Sequence, residues 1–274
     1  MATPIGNLRD ITLRALATLK AADMVVCEDT RVSKKLLSAY GISKRLEVYN
    51  DHSDARQREK IIAAVADGKS VALISDAGMP LISDPGYKLV AACIAAGVNV
   101  TSVPGANAPL AALQISGLPS DQFAFLGFLP VKSKARREML QIWQAVPASL
   151  IAFESAKRLI KSLEDIAAVM PEREVAVVRE ITKLHEELRK GSAGELATYY
   201  EQHGAPRGEI VLVIAPPEEK GEVSQGEAEA LLKKALKEMS TKEAAAHVAE
   251  KTGMSRKALY NMALELNKGD GAKR

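Results

Sequence analysis

The chain has 274 residues, room for two compact domains and a small appendage, with an ordinary globular balance of 47% hydrophobic and 26% charged residues. Aromatic residues make up only 4%, so the cores must be built from Ala, Leu, Val and Ile, and a surface that stacks many exposed bases is disfavoured. The net charge of +3 hides a basic end: from Leu231 onward ten Lys/Arg stand against five Asp/Glu, leaving −2 for everything before it, which points either to an anionic macromolecular partner or to a solvated helical tail.

The first hundred residues alternate between two periods. Helical spacing over residues 12–22 is followed by an apolar strand, MVVC, at 24–27. A helix at 31–39, a weak strand at 47–49 and an amphipathic helix at 54–67, with Asp54 as its N-cap and Gly68 past its end, come next. The run VALI at 71–74 reads as a buried strand, and a Gly/Pro-rich loop leads to a helix at 87–96 stopped by Gly97. A strand at 100–103 closes the series, which predicts parallel βαβ units. A second region, 109–215, reads as strands at 123–128, 150–153, 174–179 and 209–215, with helices at 134–145, 157–170 and 193–202. Residues 216–223 are a linker by composition. Beyond it, helices at 241–252 and 255–266 flank Thr252-Gly253-Met254, with Ser240 or Thr241 capping the first and Ser255 the second, in helix-turn-helix grammar. The opening is unusual for a βαβ domain. Loop residues Thr3-Pro4-Ile5-Gly6-Asn7 stand where a strand should come first, so either the sheet edge is reorganised or a first strand precedes the recorded start.

No apolar run is long enough to span a bilayer, and no signal peptide is evident, so a cytoplasmic protein is expected. Cys27 and Cys93 are the only cysteines and are expected to be buried free thiols. His52, His185, His203 and His247 show no zinc-type spacing, and no metal is expected.

The usual chemical fingerprints are missing: no G-x-G-x-x-G follows an early strand, and there is neither a P-loop nor a G-x-S-x-G elbow. The informative segment is SDAGMPLISDPG at 75–86, at the carboxyl end of the VALI strand, where open α/β sheets take their ligands. Its small residues let backbone approach a ligand, and Asp76 and Asp84 suit an amine or hydroxyls. Asp84-Pro85 would also serve as a cap for the next helix, but twelve residues of this composition after one strand favour a ligand loop. The PGANA turn at 104–108 follows another strand end. CEDTR at 27–31 puts two carboxylates and an arginine at a strand tip, which reads equally as a catalytic group or as an N-cap with acidic first-turn residues. Asp51-His52-Ser53-Asp54 poses the same choice, with the cap favoured. KSKARR at 132–137, with Lys157, Arg158 and Lys161, is a basic cluster suited to phosphate contacts or to a solvated face.

Taken together, TPIGNLRDIT (3–12), CEDTR, Asp51-His52, SDAGMPLISDPG, Pro104-Gly105, GLPSDQFAFLGFLPVKSKARR (117–137), FES (153–155), REITKLHEEL (179–188) and RGEIVLVI (207–214) run in one order through almost the whole chain. In this the chain resembles the ribosomal RNA small subunit methyltransferase I family, 2′-O-methyltransferases of the tetrapyrrole methylase superfamily. It departs from that pattern in lacking the opening strand, which a Val codon read as a start before Ala2 would explain. It also departs in PGANA, where PGPSA is usual, and in Ala156-Lys157-Arg158 after FES, where Pro-His-Arg is usual.

The resemblance implies two α/β domains, 1–108 and 109–215, with S-adenosyl-L-methionine in the cleft between them, and a small helical domain at 224–274. It implies a homodimer that methylates a cytidine ribose in the decoding region of 16S rRNA on the small ribosomal subunit. Cofactor contacts are expected at Pro4, Gly6, Asp76, Ala77, Gly78, Met79, Ser83, Asp84, Pro104, Gly105, Asn107 and Ala108. Glu28, Asp29, Arg31 and Asp84 are the catalytic candidates, and Lys132, Lys134, Arg136, Arg137, Arg158, Arg256 and Lys257 the candidates for RNA phosphates. Two rivals remain: a precorrin-type C-methyltransferase, and a non-catalytic nucleic-acid-binding regulator.

Overall fold

The computed structural model describes residues 1–50, 53, 55–204, 206–218 and 225–271. They form two units, Met1–Pro217 and Glu218–Arg274. Asp51, His52, Asp54 and residues 219–223 of the expected linker lie outside the described residues.

The first unit opens with α1 (Leu13–Ala21), β1 (Met24–Cys27), α2 (Thr30–Ala39), β2 (Leu46–Val48), α3 (Ala55–Ala66), β3 (Val71–Leu73) and α4 (Tyr87–Ala95). The strands form a parallel sheet in the order β2-β1-β3. The central strand reads as an unbroken apolar run because all four of its residues are buried, as parallel strands covered on both faces must be. Thr12 caps α1, its hydroxyl accepting the Ala15 amide at 3.0 Å.

Two expectations fail here. Residues 100–103 are not a strand: Val103 accepts one backbone bond, from Ala2 at 2.9 Å, and a single bond makes no ladder. On the other side the Met1 ammonium donates to the Leu73 carbonyl at 2.8 Å, and Thr3 and Gly78 exchange bonds of 2.9 and 3.1 Å as an antiparallel bridge. The second is the Asp84-Pro85 cap, the alternative to a ligand loop: α4 starts at Tyr87 as expected, but from Gly86. Gly86 sits at φ 128° without a side-chain cap, and Leu73 and Leu81 crowd the space a Cβ would need, at 3.1 and 3.2 Å.

The chain continues through α5 (Ala108–Ser116), β4 (Phe123–Phe128), α6 (Ser133–Trp143), β5 (Ser149–Ser155), α7 (Leu159–Val169), β6 (Glu174–Arg179), β7 (Glu187–Ser192), α8 (Ala193–His203) and β8 (Glu209–Ile214). Their sheet runs β4-β5-β8-β6-β7, parallel between β4 and β5 and antiparallel elsewhere. Alternate residues of β6 serve opposite faces. Val175 and Val177 pack with Leu150, Leu163, Ile166 and Leu212, whereas Ala176 and Val178 pack with Ile151, Val211, Leu113 and Ala112 of α5. Helix α5 went unread because a turn was expected there. Asn107 caps it through the Leu110 amide at 2.9 Å, Pro109 sits in its first turn, and Gly117 ends it at φ 65°. Strand β7 was missed because ELRKGS is a polar edge with no apolar run to announce it.

The second unit is helical: α9 (Gln225–Ala235), α10 (Thr241–Thr252) and α11 (Arg256–Gly271). Ala228, Leu232, Ala244, Ala245, Val248 and Leu259 form its core. Of the two candidate caps for α10, Ser240 is the one used, in a reciprocal capping box with Glu243. Gly253 makes the turn at φ 70°.

Candidate active site

The loop after β3 is held from within. The Ser75 hydroxyl donates to the carbonyls of Gly78 and Ala77 at 3.1 and 3.3 Å, and the Thr3 hydroxyl donates to the Ser75 carbonyl at 3.2 Å. Gly78 turns at φ 77°, and two residues with side chains, Leu81 at φ 73° and Ser83 at φ 62°, share the left-handed region. Each such residue costs about 1–3 kcal/mol, and strain of this kind concentrates at ligand sites.

This loop walls a cavity of about 350 Å³, within the size range of small-molecule pockets. Ala77, Gly78, Met79, Ser83 and Asp84 line it on one side, joined by Ile5, Ile82, Asn107, Ala108 and Pro109. The opposite wall comes from one end of the five-stranded sheet. Register pairs Phe153 with Val211, Glu154 with Ile210 and Ser155 with Glu209, and sets Arg179 beside Ile210. That alignment delivers Phe128, Phe153, Glu154, Ser155, Ile181 and residues 208–211 to the cavity together. Phe128 and Phe153 contact each other with ring centroids 5.2 Å apart.

A knot behind this wall fixes its position. Lys183 Nζ bridges Glu180 Oε1 at 2.8 Å and Glu209 Oε2 at 2.7 Å, and hydrogen bonding to Lys183 and to the Glu209 amide holds the Glu180 carboxyl below its usual range. The Asn7 amide donates to Thr182 Oγ1 at 3.1 Å, tying the opening loop to this turn.

Seven of the expected cofactor residues therefore meet: Ala77, Gly78, Met79, Ser83, Asp84, Asn107 and Ala108. The others lie elsewhere. Pro4 is buried and Pro104 exposed, neither on the cavity wall. Gly6 is a packing position, where a Cβ would sit 2.6 Å from Lys183 Cγ and 2.8 Å from Thr182 Oγ1. A Cβ at Gly105 would press on Ala2 at 3.0 Å.

Asp76 faces a different hollow, an open polar recess that it shares with Glu28, Asp29, Thr30, Arg31, Val48 and Asn50. Three of the four catalytic candidates gather there; Asp84 is in the cavity instead. The N-cap reading of CEDTR holds, since Asp29 caps α2 through the Arg31 amide at 2.7 Å, and the same residue also lines the recess. The Arg31 guanidinium closes on the same carboxylate at 2.6–3.1 Å, and these bonds from its side chain and amide pull Asp29 down to about 2. Burial pushes Asp76 above its ordinary value. The Asp29 amide, donating to Asp76 Oδ1 at 3.2 Å, opposes that rise, and the Asp29 charge adds to it.

The basic cluster divides. Arg136 is 2% exposed and spent internally: it pairs with Asp165 at 2.6 Å and donates to the carbonyls of Pro130, Val131 and Lys161. It is withdrawn from the phosphate candidates, because a helix whose opposite face is solvated turned this position inward. Arg158 is also committed, to Glu154 at 2.6 Å and to the Leu129 carbonyl at 2.8 Å. Lys132, Lys134 and the half-exposed Arg137 remain at the surface, Arg137 keeping one bond to Asp165. In the helical unit Arg256 and Lys257 line a shallow recess with Tyr260 and with Lys242, a residue sequence reasoning passed over.

Residues 2–197 match the tetrapyrrole (corrin/porphyrin) methylases, and residues 222–267 match the RsmI C-terminal HTH domain. The chain is 50% identical to the ribosomal RNA small subunit methyltransferase I of Mesorhizobium japonicum, over 99% of this chain and 94% of that one. The chain belongs to the ribosomal RNA small subunit methyltransferase I family. The relatives from Erythrobacter litoralis and Escherichia coli O157:H7 are 56% and 44% identical, covering 97% and 96% of this chain and 94% and 93% of their own. Solved structures share the fold at lower identity. Diphthine synthase superposes with a TM-score of 0.62 at 16% identity over 78% of this chain and 88% of that one, and a uroporphyrin-III C-methyltransferase from Thermus thermophilus with 0.55 at 21% over 77% and 91%.

As a member of this family the protein is an S-adenosylmethionine-dependent methyltransferase, and the cavity has the chemistry that cofactor needs. Its walls are mainly apolar, suited to an adenine ring and a sulfonium, while the Asp84 and Glu209 carboxylates and the Ser83 and Ser155 hydroxyls offer partners for an ammonium and ribose hydroxyls. Among the described residues no helix is long and apolar enough to cross a membrane.

Proposed function

We propose that the chain transfers a methyl group to the 2′-hydroxyl of a cytidine in the decoding region of 16S rRNA, acting on the small ribosomal subunit as a cytoplasmic homodimer. The observation that carries this reading is kinship at 40–56% identity with ribosomal RNA small subunit methyltransferase I proteins, extending in the first relatives over nearly the whole of both chains. Bound S-adenosylmethionine supplies a methyl carbon already activated by its sulfonium. The protein's task is then alignment, since an in-line displacement needs the acceptor oxygen held at near-attack distance behind that carbon.

In this reading residues 1–108 and 109–215 act as two lobes around the cavity, and residues 224–274 as a docking module. Ser83, Asp84, Asn107 and the backbone of residues 77–79 hold the cofactor, with the Phe128–Phe153 wall excluding water. Glu28, Asp29 and Arg31 flank the acceptor. Lys132, Lys134, Arg137, Arg256 and Lys257 meet RNA phosphates, with Lys242 added to that set.

The test is transfer of tritium from methyl-labelled S-adenosylmethionine to small ribosomal subunits whose RNA is unmodified. Label recovered as 2′-O-methylcytidine is the expected result. Cofactor binding without label in the RNA, together with label in a porphyrinoid acceptor, would overturn the assignment.

A further inference from the structure

We infer that Asp76 is the proton acceptor for the ribose hydroxyl, and that the polar recess at the tips of β1, β2 and β3 seats the acceptor nucleotide. The inference rests on the methyltransferase reading above. Three observations support it.

The recess opens where three parallel strands end together. Register sets Cys27 beside Val48 and Val26 beside Leu73, so the chain leaving each strand emerges on one side: Glu28 and Asp29 from β1, Asn50 after β2, Asp76 after β3. Ligands of open α/β sheets bind outside the carboxyl ends of strands.

The recess and the cofactor cavity share a wall. Asp76 lines the one, and the next three residues, Ala77, Gly78 and Met79, line the other. A carboxylate in the recess is thus one residue removed from the surface that holds the methyl donor.

The carboxylates of the recess are not equivalent. Asp29 is consumed by the α2 cap and by Arg31, and held down to about 2 it is a poor base. Asp76 Oδ1 accepts the Asp29 amide at 3.2 Å, and Oδ2 has no hydrogen-bond partner among the described residues. The charged groups facing it among the described residues of the recess are Glu28, Asp29 and Arg31, all from the turn after β1 and the start of α2; the end of β2 and the residues after it contribute the neutral Val48 and Asn50. Burial weakens Asp76 as an acid, which makes it the stronger base of the pair.

The step balances simply. The ribose oxygen–carbon bond forms as the carbon–sulfur bond breaks, the bonding pair leaves with sulfur, and the hydroxyl proton passes to the Asp76 carboxylate and from there to water. Arg31, locked against Asp29 and largely exposed, stands at the mouth of the recess, where it meets the phosphate of the incoming nucleotide.

Asp76→Asn tests the assignment, because the amide oxygen can still accept the Asp29 amide and keep the loop in place. Cofactor affinity is measured by calorimetry, and single-turnover methylation of unmodified small subunits is followed as a function of pH. The expected result is a fall in the methylation rate of about 10²–10⁴-fold. Cofactor affinity stays unchanged, and the acid limb of the wild-type rate profile disappears. Asp76→Glu restores part of the rate along with that limb. A rate within a few-fold of wild type, or a loss of cofactor affinity that matches the loss of rate, overturns the inference. A wild-type chain that binds cofactor but labels no RNA removes the underlying reading instead.

Discussion

The two sheets of the larger unit use their charged residues in opposite ways. Around the three-stranded sheet, charges sit at strand tips and border an open recess, as Glu28, Asp29, Arg31 and Asp76 do. Around the five-stranded sheet several are drawn inside and spent on other charges or on backbone carbonyls. Arg136 and Asp165 are 2% and 3% exposed at the side chain, Glu154 is fully buried with Arg158 and Ser162 bonded to it, and Arg173 lies buried against the carbonyls of Gln144 and Val146. The same residue types thus border an open recess in one half and hold helices to strands in the other. Substitutions can tell these uses apart.

The largest effect is expected from Asp165→Ala. It strands Arg136 as a buried, unpaired charge and removes a partner of Ser133 and Arg137 as well. Loss of one partner of a buried pair costs about 3–5 kcal/mol, read as a lower denaturation midpoint at unchanged slope. A loss under about 1 kcal/mol, within the range of exposed pairs, would mean that the five-stranded half tolerates free charge as the other half does.

Next comes the wall between the two halves. A methyl group at Gly208, where φ is 100°, would overlap the Glu180 carboxylate. Gly208→Ala is expected to cost about 1–3 kcal/mol and to weaken cofactor binding, because residues 208–211 line the cavity. Glu180→Ala in the same chain makes room for the methyl group, so the double variant should recover part of the loss. Additive losses, measured as a double-mutant cycle in cofactor affinity, would show that the knot does not shape the cavity.

These contrasts also mark what a sequence discloses. Part of the recess was legible, because Glu28, Asp29 and Arg31 are near neighbours in CEDTR, placed on a strand tip by the apolar run before it; Asp76 was expected at the cofactor instead, and Val48 and Asn50 went unread. The loop side of the cavity was legible for the same reason. The far wall was not. Phe153, Ile181 and Ile210 come together only through the antiparallel register of β5, β8 and β6, and residues in FES, REITK and RGEIV give no local sign that they share a cavity. Gly6 misled in the opposite sense: its lack of a side chain makes room for Lys183 rather than for a ligand. Arg136 misled because four basic residues in six hide which one the helix turns inward.

A smaller effect belongs to the Asp29–Arg31 pair. The folded Asp29 value lies near 2, below the ordinary 3.8. Its contribution to stability is therefore complete above the ordinary value, and is lost as pH falls through that value toward 2. A carboxyl titration followed by NMR should place its midpoint near 2, and Arg31→Ala should move it upward. A midpoint that ignores Arg31 would leave the cap alone as the cause, and Arg31 would then be free to act apart from Asp29.

The smallest effect on stability, and the sharpest form of the contrast, comes from two residues of one helix. Lys134 is exposed, with only a 4.0 Å approach to Glu138; Arg136, two positions on, is buried. Lys134→Ala should leave stability within about 0.5 kcal/mol, as surface changes do. It should weaken binding to small subunits and reduce the salt dependence of that binding by about one unit of slope. Arg136→Ala should do the reverse, lowering stability while any folded protein keeps the wild-type salt slope, because a guanidinium turned inward neutralises no phosphate. If both variants shifted the slope alike, α6 would have to rotate on the RNA and release Arg136 from Asp165. The five-stranded half would then hold its charges in reserve, and its buried pairs would be part of the docking surface after all.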